Sequence, residues 1–269
     1  MENKARFELI CENIYRLKVP FENIYTSVFL IKDVDGWMLC DCATTAQDVA
    51  DIILPAISDM EIELSDITHI LLTHAHGDHA GGLRYLLPHM PYACVCAGAE
   101  YVRERLMPES FILLSDGISL SENITAIPLP GHSGDSFGYL DGRSGTLISG
   151  DGVQLCGVGR YGCGLGSFAE YENTLRRIKC MGIARLVTSH DYYPLGAVCV
   201  GDGEIHKYLS WSYEYAEYIS RVCDEYISRG VYDQKQITDD IRQRNERHDS
   251  NIPPLQYSTV KNCIIEKTK

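Results

Sequence analysis

The sequence predicts an α/β domain with mixed sheets over residues 1–202, followed by a helical C-terminal extension over residues 203–269 that packs on the same domain. Three observations carry this. Short apolar, β-branched runs alternate with segments of helical spacing along the first two hundred residues. Asp35-Gly36 and Asp141-Gly142 each stand between two strand-like runs, and such Asp-Gly hairpins bring antiparallel pairs into the sheets. From about Glu204 the pattern is helical, with Leu209, Tyr213, Ala216, Ile219 and Cys223 forming one apolar stripe.

The elements follow in order. "TSVFLIKDVDGWMLCDCA" is a strand pair around the first Asp-Gly turn. "TAQDVADIILPAI" has helical spacing with Thr45 as its cap. "ITHILLTHAH" reads as a strand, "AGGLRYLLPHM" as a helix ending near Pro88. "YACVCAG" is strand-like and "AEYVRERLM" helical. Then come the strand "NITAIPLPGH", the second hairpin "SFGYLDGRSGTLISGD", the helix "FAEYENTLRRIKCMG" and the strand "ARLVTSHDYY". No linker breaks residues 1–202, and no short repeat is present.

Charge narrows the partners. The net charge is -13, and residues 1–202 hold 26 of the 37 acids but only 14 of the 24 bases. Phosphate backbones and anionic bilayers are repelled by such a surface, so neither nucleic acid nor membrane is the expected partner. The N-terminus lacks the apolar core of an export signal, and no apolar run approaches the ~20 residues of a membrane span. Eleven cysteines, an odd number, fit reduced thiols in a cytoplasm. The C-x-C pairs Cys40/Cys42 and Cys94/Cys96 alternate as a half-buried strand does, and are expected to be core thiols.

Four apolar runs each end in a residue that can bind metal: "ILLTHAHGDH", "AIPLPGH", "TLISGD" and "ARLVTSH". Buried strands delivering polar side chains at a common end are how open α/β sheets build sites. The candidates are His74, His76, Asp78 and His79, with His132, Asp151 and His190 further along. In an extended segment residues i and i+2 point the same way, so His74 and His76 can grip one ion. A turn at Gly77 lets Asp78 and His79 face a second. Imidazoles and carboxylates suit zinc, and also iron or manganese. Asp135 and Asp191 are alternative donors, while His69 and His89 lack ligand company and are read as structural.

These motifs resemble the metallo-β-lactamase superfamily. Its H-x-H-x-D-H signature is matched by His74, His76, Asp78 and His79 and is followed by "AGG"; "PGHSGDSFGY", "SGD" and "TSH" follow in the expected order, and Asp41 in "LCDCATT" matches the first motif. The resemblance covers about residues 15–195. It implies a four-layer αββα sandwich with metals at one edge: His74, His76 and His132 on one ion, Asp78, His79 and His190 on the other, Asp151 bridging. Within the family, Asp151 and the missing export signal point away from true β-lactamases, His76 away from the flavo-di-iron branch, and acidity away from the nucleic-acid branches. The glyoxalase II-like and lactonase-like hydrolases remain.

The implied activity is hydrolysis of a small ester-like acyl substrate, a thioester or lactone, with two divalent ions, zinc first. Asp78 is the expected proton carrier, and Asp41, Ser133 and Ser136 would orient the imidazoles. The alternatives are a mono-iron sulfur dioxygenase-like enzyme using His79, His132 and Asp151, and a phosphodiesterase of the same superfamily. The glycine-rich segment 152–166 follows Asp151 and would wall the pocket, with Arg160, Tyr161, Tyr192 and Tyr193 as candidate substrate contacts. The C-terminal segment holds seven of the seventeen tyrosines; these cap the pocket or form a homodimer interface.

Overall fold

A computed structural model describes residues 5–269, which divide into two compact units. The first runs to Pro128 and includes Asp135–Gly150; the second comprises Leu129–Gly134 and Asp151–Lys269.

The first unit is built on seven strands in sequence order: β1 (Glu8–Cys11), β2 (Ile14–Phe21), β3 (Ile24–Asp33), β4 (Gly36–Cys40), β5 (Ile67–Leu71), β6 (Cys94–Ala97) and β7 (Phe111–Leu113). β1 to β4 pair antiparallel, and β4 to β7 parallel. The β3–β4 turn is the expected Asp35-Gly36 hairpin, with Gly36 at φ +136°, where an L side chain is strained. Along β3, Val28 and Leu30 join one apolar cluster with Leu39, Ile53, Ile70 and Val95, while Phe29 and Ile31 are equally buried on the opposite face. Both faces of the sheet are therefore covered, which explains its near-continuous apolar strands.

The helices of this unit are short. α1 (Ala46–Asp48) begins on the predicted cap: the Thr45 hydroxyl accepts from Asp48 N, and Asp48 Oδ2 accepts from Thr45 N, 2.8 Å. A π-turn at Val49–Ile53 joins it to α2 (Leu54–Asp59). α3 (Gly77–Ala80), α4 (Leu83–Leu86) and α5 (Glu100–Leu106) follow.

β8 (Ile124–Pro128), β9 (Phe137–Asp141) and β10 (Thr146–Gly150) form the antiparallel layer of the same unit. The second Asp-Gly signal does mark a hairpin, but its loop has four residues, 142–145, and the left-handed glycine is Gly145 at φ +62°. Asp141 organises this loop, accepting from Arg143 Nε (2.9 Å) and Ser144 Oγ (2.7 Å). β9 also reaches the other layer: the fully buried Tyr139 donates to the carbonyl of Leu72, 2.6 Å. Tyr139→Phe is expected to cost about 1–3 kcal/mol, the penalty of a buried carbonyl left without its donor. A denaturant midpoint lowered at constant slope would register it; an unchanged midpoint would refute the bond's role.

The second unit contains the antiparallel pair β11 (Arg185–Thr188) and β12 (Val198–Val200) and four helices: α6 (Phe168–Cys180), α7 (Asp202–Ile227), α8 (Gln234–His248) and α9 (Tyr257–Lys267). α6 starts on Ser167, whose hydroxyl accepts from Glu170 N. In α7, Leu209, Ala216, Ile219 and Cys223 are buried as the stripe predicts, but Tyr213 is exposed. Tyr208, Ser212 and Tyr215 take its place, because a helix packed on α6, α8, α9 and β12 buries a broader face than a narrow seam does.

Among the described residues all eleven cysteines are free. Cys40, Cys42 and Cys96 are buried, and burial pushes their thiols up, so they stay protonated in the core. His69 gathers beside Cys94 and Cys96 across β5 and β6, and burial pushes its imidazole down. His89 is exposed.

Candidate metal centre

β5 ends at Leu71, and the chain leaves the parallel sheet through Leu72 and Thr73 into His74. Asp41, one residue past the end of neighbouring β4, holds this exit. It is fully buried at φ +61° and accepts three bonds: Thr73 N on Oδ1 (2.8 Å), and Thr73 Oγ1 and His79 Nδ1 on Oδ2 (2.8 Å each).

That network assigns the imidazole tautomers. A carboxylate can only accept, so His79 carries its proton on Nδ1 and turns the Nε2 lone pair away from Asp41. The hydroxyl of Thr73 has one proton and gives it to Asp41. At 3.2 Å from His74 Nδ1 its oxygen is therefore the acceptor, and His74 too is protonated on Nδ1. Its Nε2 lies 3.0 Å from His76 Nδ1, a separation close to that of two nitrogens each about 2.0–2.1 Å from one ion. The His74 and His79 rings are stacked at 4.1 Å, and Asp78 Oδ2 is 3.4 Å from His79 Nε2. The four residues of the signature thus lie together.

The turn between them is made differently from the expectation. A Cβ on Gly77 would meet nothing within 4 Å, and Gly77 has no positive φ. His76, with extended backbone (φ -66°, ψ 155°), instead acts as N-cap of α3, and Ala80 N and His79 N both return to its carbonyl. Asp78 then lies in the first helical turn, where the amide dipoles favour a negative charge. Asp135 accepts from Ala75 N, 3.0 Å, and so braces the loop between the two histidines.

The second unit assembles the other three candidates. Asp151, buried, places Oδ2 3.4 Å from His190 Nε2 and 3.7 Å from His132 Nε2. His132 Nδ1 donates to the Gly164 carbonyl, 2.6 Å, which leaves Nε2 as its lone-pair nitrogen. Gln154 holds this loop: its Oε1 accepts from Gly164 N (2.7 Å), and its amide donates to the Asp151 carbonyl (3.1 Å) while touching His132 Nδ1. Thr188 donates to the His190 carbonyl, 2.8 Å. Sequence reasoning missed both Gln154 and Thr73; each stands within three residues of a ligand candidate, the only signal that could have found them.

The donor chemistry fits a divalent cation. His74, His79 and His132 all have Nδ1 committed to protein and Nε2 presented, the arrangement that metal-bound histidines require. Asp41→Asn tests this. Whichever way the new amide is turned, its NH₂ opposes a donor from Thr73 or His79. Metal affinity is expected to fall about 10–100-fold in chelator competition; unchanged affinity would separate Asp41 from the site.

The candidate substrate contacts divide. Tyr192 is buried and meets the His190 ring edge-on at 5.7 Å. Arg160 lies over the Tyr161 ring at 5.4 Å, and its carbonyl accepts from Gln256. Of these, only Tyr193 lines the large cleft of this unit, about 720 Å³, whose other walls come from Cys156, Pro194, α7, α8 and the segment after α8. Ser133 is half-buried next to His132.

Comparison with known proteins gives these observations their context. A family model described as "Metallo-beta-lactamase superfamily" matches residues 23–190. The chain is 31% identical over 151 residues to a hydroxyacylglutathione hydrolase of Prochlorococcus marinus, covering 52% of this chain and 60% of that one. It is 26% identical over 159 residues to the atrochrysone carboxyl ACP thioesterase AacuM of Aspergillus aculeatus, covering 58% and 47%. The chain thus spans roughly half the length of the curated relatives it matches. Among solved structures it resembles the metallo-β-lactamase FIM-1 of Pseudomonas aeruginosa in its mono-zinc form (TM-score 0.63, 18% identity, 80% of this chain and 96% of that one). A flavoprotein from Thermotoga maritima is similar to the same degree (TM-score 0.63, 16% identity, 84% and 70%). These likenesses show the fold, an α/β sandwich with mixed sheets, flanking helices and additional C-terminal helices. None of the described helices is long and apolar enough to cross a membrane. With its signature running from the end of β5 into α3 and a family match over more than half its length, the chain belongs to the metallo-beta-lactamase superfamily.

Proposed function

We propose that the protein is a metal-dependent hydrolase of a small ester-like acyl substrate, a thioester before a lactone. The observation that carries this reading is the pair of donor clusters whose histidine tautomers are held by Asp41, Thr73 and Gly164. The similarity to a hydroxyacylglutathione hydrolase and an ACP thioesterase supports the acyl chemistry.

In this reading His74, His76 and His132 would hold one divalent ion and Asp78, His79 and His190 a second, with Asp151 shared and zinc the native metal. Such ions supply Lewis acidity, polarising a carbonyl and lowering the pKa of water. The rest falls to the chain. Asp41 keeps His79 in one tautomer, and Thr73 does the same for His74. Asp78, a carboxylate in the first turn of α3, carries a proton from the attacking water to the leaving group. Water adds its oxygen to the acyl carbon, the C–S or C–O bond breaks, and a thiol or alcohol leaves with the proton beside a carboxylic acid.

The test is metal analysis together with a substrate panel. Two ions per chain and zinc-dependent hydrolysis of acyl thioesters are expected. One iron per chain, with oxygen consumed on a persulfide, would overturn the hydrolase in favour of a dioxygenase. Cleavage of phosphodiesters with thioesters untouched would also overturn it.

A further inference from the structure

The 720 Å³ cleft of the second unit has the size of a small-molecule site and unusual walls. Four aromatic side chains line it: Tyr193, Trp211, Tyr215 and Tyr218. Trp211 is 38% exposed and Tyr218 half-buried, although both stand on a well-packed helix. Large aromatic surface left open inside a concavity marks a place where another flat group is buried.

The polar lining is occupied internally. Arg244 is held by Asp240 (2.8 Å) and Glu225 (3.2 Å). Asn245 donates to the Tyr215 hydroxyl, 2.8 Å, and the Tyr193 hydroxyl donates to Asp249. That bond, with the Asn251 backbone, holds the Asp249 carboxyl below the usual range, so it is ionised at neutral pH. Glu214 adds a second carboxylate to the lining. Lys207 lies on the Trp211 indole, 4.9 Å from its centroid, and is not part of the cleft wall. The lining also includes His248, so an anionic ligand would face two carboxylates, an imidazole next to one of them, and one guanidinium already paired to two other carboxylates.

The cleft is also tied to the metal-ligand segments of its own unit. Tyr193 is three residues past His190, at most about 11 Å of chain, and Cys156 is five past Asp151, at most about 18 Å. The two segments are stitched together, Cys156 N to the Tyr193 carbonyl (3.1 Å) and Tyr193 N to the Gly157 carbonyl (2.9 Å).

We propose that this cleft binds a flat, uncharged aromatic group of the substrate, so that the enzyme acts on aromatic acyl thioesters or esters and not on thioesters of an anionic peptide such as glutathione. The proposal rests on the hydrolase reading for its chemistry but not for its binding, and the two can be tested apart. The chain has two tryptophans, Trp37 and Trp211, so Trp37→Phe leaves Trp211 as the sole indole reporter. Titration of this variant, with and without added zinc, with 2-naphthol is expected to quench Trp211 emission saturably. Glutathione at equal concentration should not compete. In calorimetry Tyr218→Ala should weaken naphthol binding roughly three- to tenfold, the worth of one aromatic pair. In turnover, the 2-naphthoyl thioester of N-acetylcysteamine should be preferred over S-lactoylglutathione by kcat/KM.

Saturable naphthol binding without thioester hydrolysis would support the cleft and overturn the hydrolase. Hydrolysis of the glutathione thioester with no saturable naphthol binding would overturn the cleft and leave the hydrolase standing. Naphthol binding that Tyr218→Ala leaves unchanged places the ligand elsewhere and overturns the proposal.

Discussion

Substituting Asp78 by alanine is expected to lower kcat/KM for thioester hydrolysis by about 10²–10⁴, the range for losing a positioned proton carrier, and by more if metal is lost with it. Asp78 belongs to a four-residue helix and its side chain is 18% exposed, with His79 Nε2 3.4 Å away. Its removal opens no core cavity, so thermal stability of the metal-free protein should change by no more than about 1 kcal/mol. The Asp78→Asn variant sharpens the experiment. Its amide oxygen can still bind a cation but cannot take up a proton at neutral pH. A role confined to holding metal predicts that this variant regains activity when metal is raised. A role in proton transfer predicts no recovery, and a flattened pH profile. Full activity of Asp78→Ala at saturating metal would sink the mechanism.

Much of the candidate donor cluster is legible in the sequence. His74, His76, Asp78 and His79 sit within six residues, so chain connectivity alone keeps them together, and strand-end placement gives them a common direction. Asp41 is legible only through resemblance, because nothing local says that a residue 32 positions earlier should cap Thr73. Gln154 is not legible at all. Its value lies in joining three separate places, accepting from Gly164 N ten residues later, donating to the Asp151 carbonyl three residues earlier, and lying against His132 Nδ1. The cleft is harder still. Trp211 and Tyr218 come from α7 and Arg244 from α8, and their meeting depends on how those helices cross. Sequence proximity to Asp151 favours Arg160 and Tyr161 as pocket residues, yet those two side chains stack on each other outside the cleft wall. Proximity along the chain brings out the candidate donors of a compact cluster; it does not bring out walls built by separate helices.

The glycines of "AGG" show the same distinction at the level of a single atom, and they yield the largest stability effect. Gly81 and Gly82 have ordinary helical backbone, φ -61° and -74°, so neither is there for conformational freedom. A Cβ on Gly82 would lie 2.0 Å from the carbonyl oxygen of Cys42, and one on Gly81 would lie 2.3 Å from that of Thr44. Both obstacles are backbone and cannot rotate aside. The approach is that close because α3 and the segment after Asp41 are joined by backbone hydrogen bonds, Cys42 N to the His79 carbonyl (2.7 Å) and Gly82 N to the Ala43 carbonyl (3.1 Å). Gly82→Ala must push these segments apart, breaking bonds on the same loop that aims Asp41 at His79. A loss of about 3 kcal/mol or more is expected, at the upper end for overpacking, with a melting temperature lower by on the order of 10 °C. Weakened metal binding should accompany it, since Asp41 moves with the loop. Gly77→Ala, at the start of α3, is the control: its Cβ would meet nothing within 4 Å, and alanine is the better helix former, so stability should hold or rise by a few tenths of a kcal/mol. Equal behaviour of the two variants would show that the close approach of α3 to the Asp41 loop does not hold the metal signature in place. Unequal behaviour in the stated direction would show that the signature is held in place only because the two glycines that follow it have no side chain.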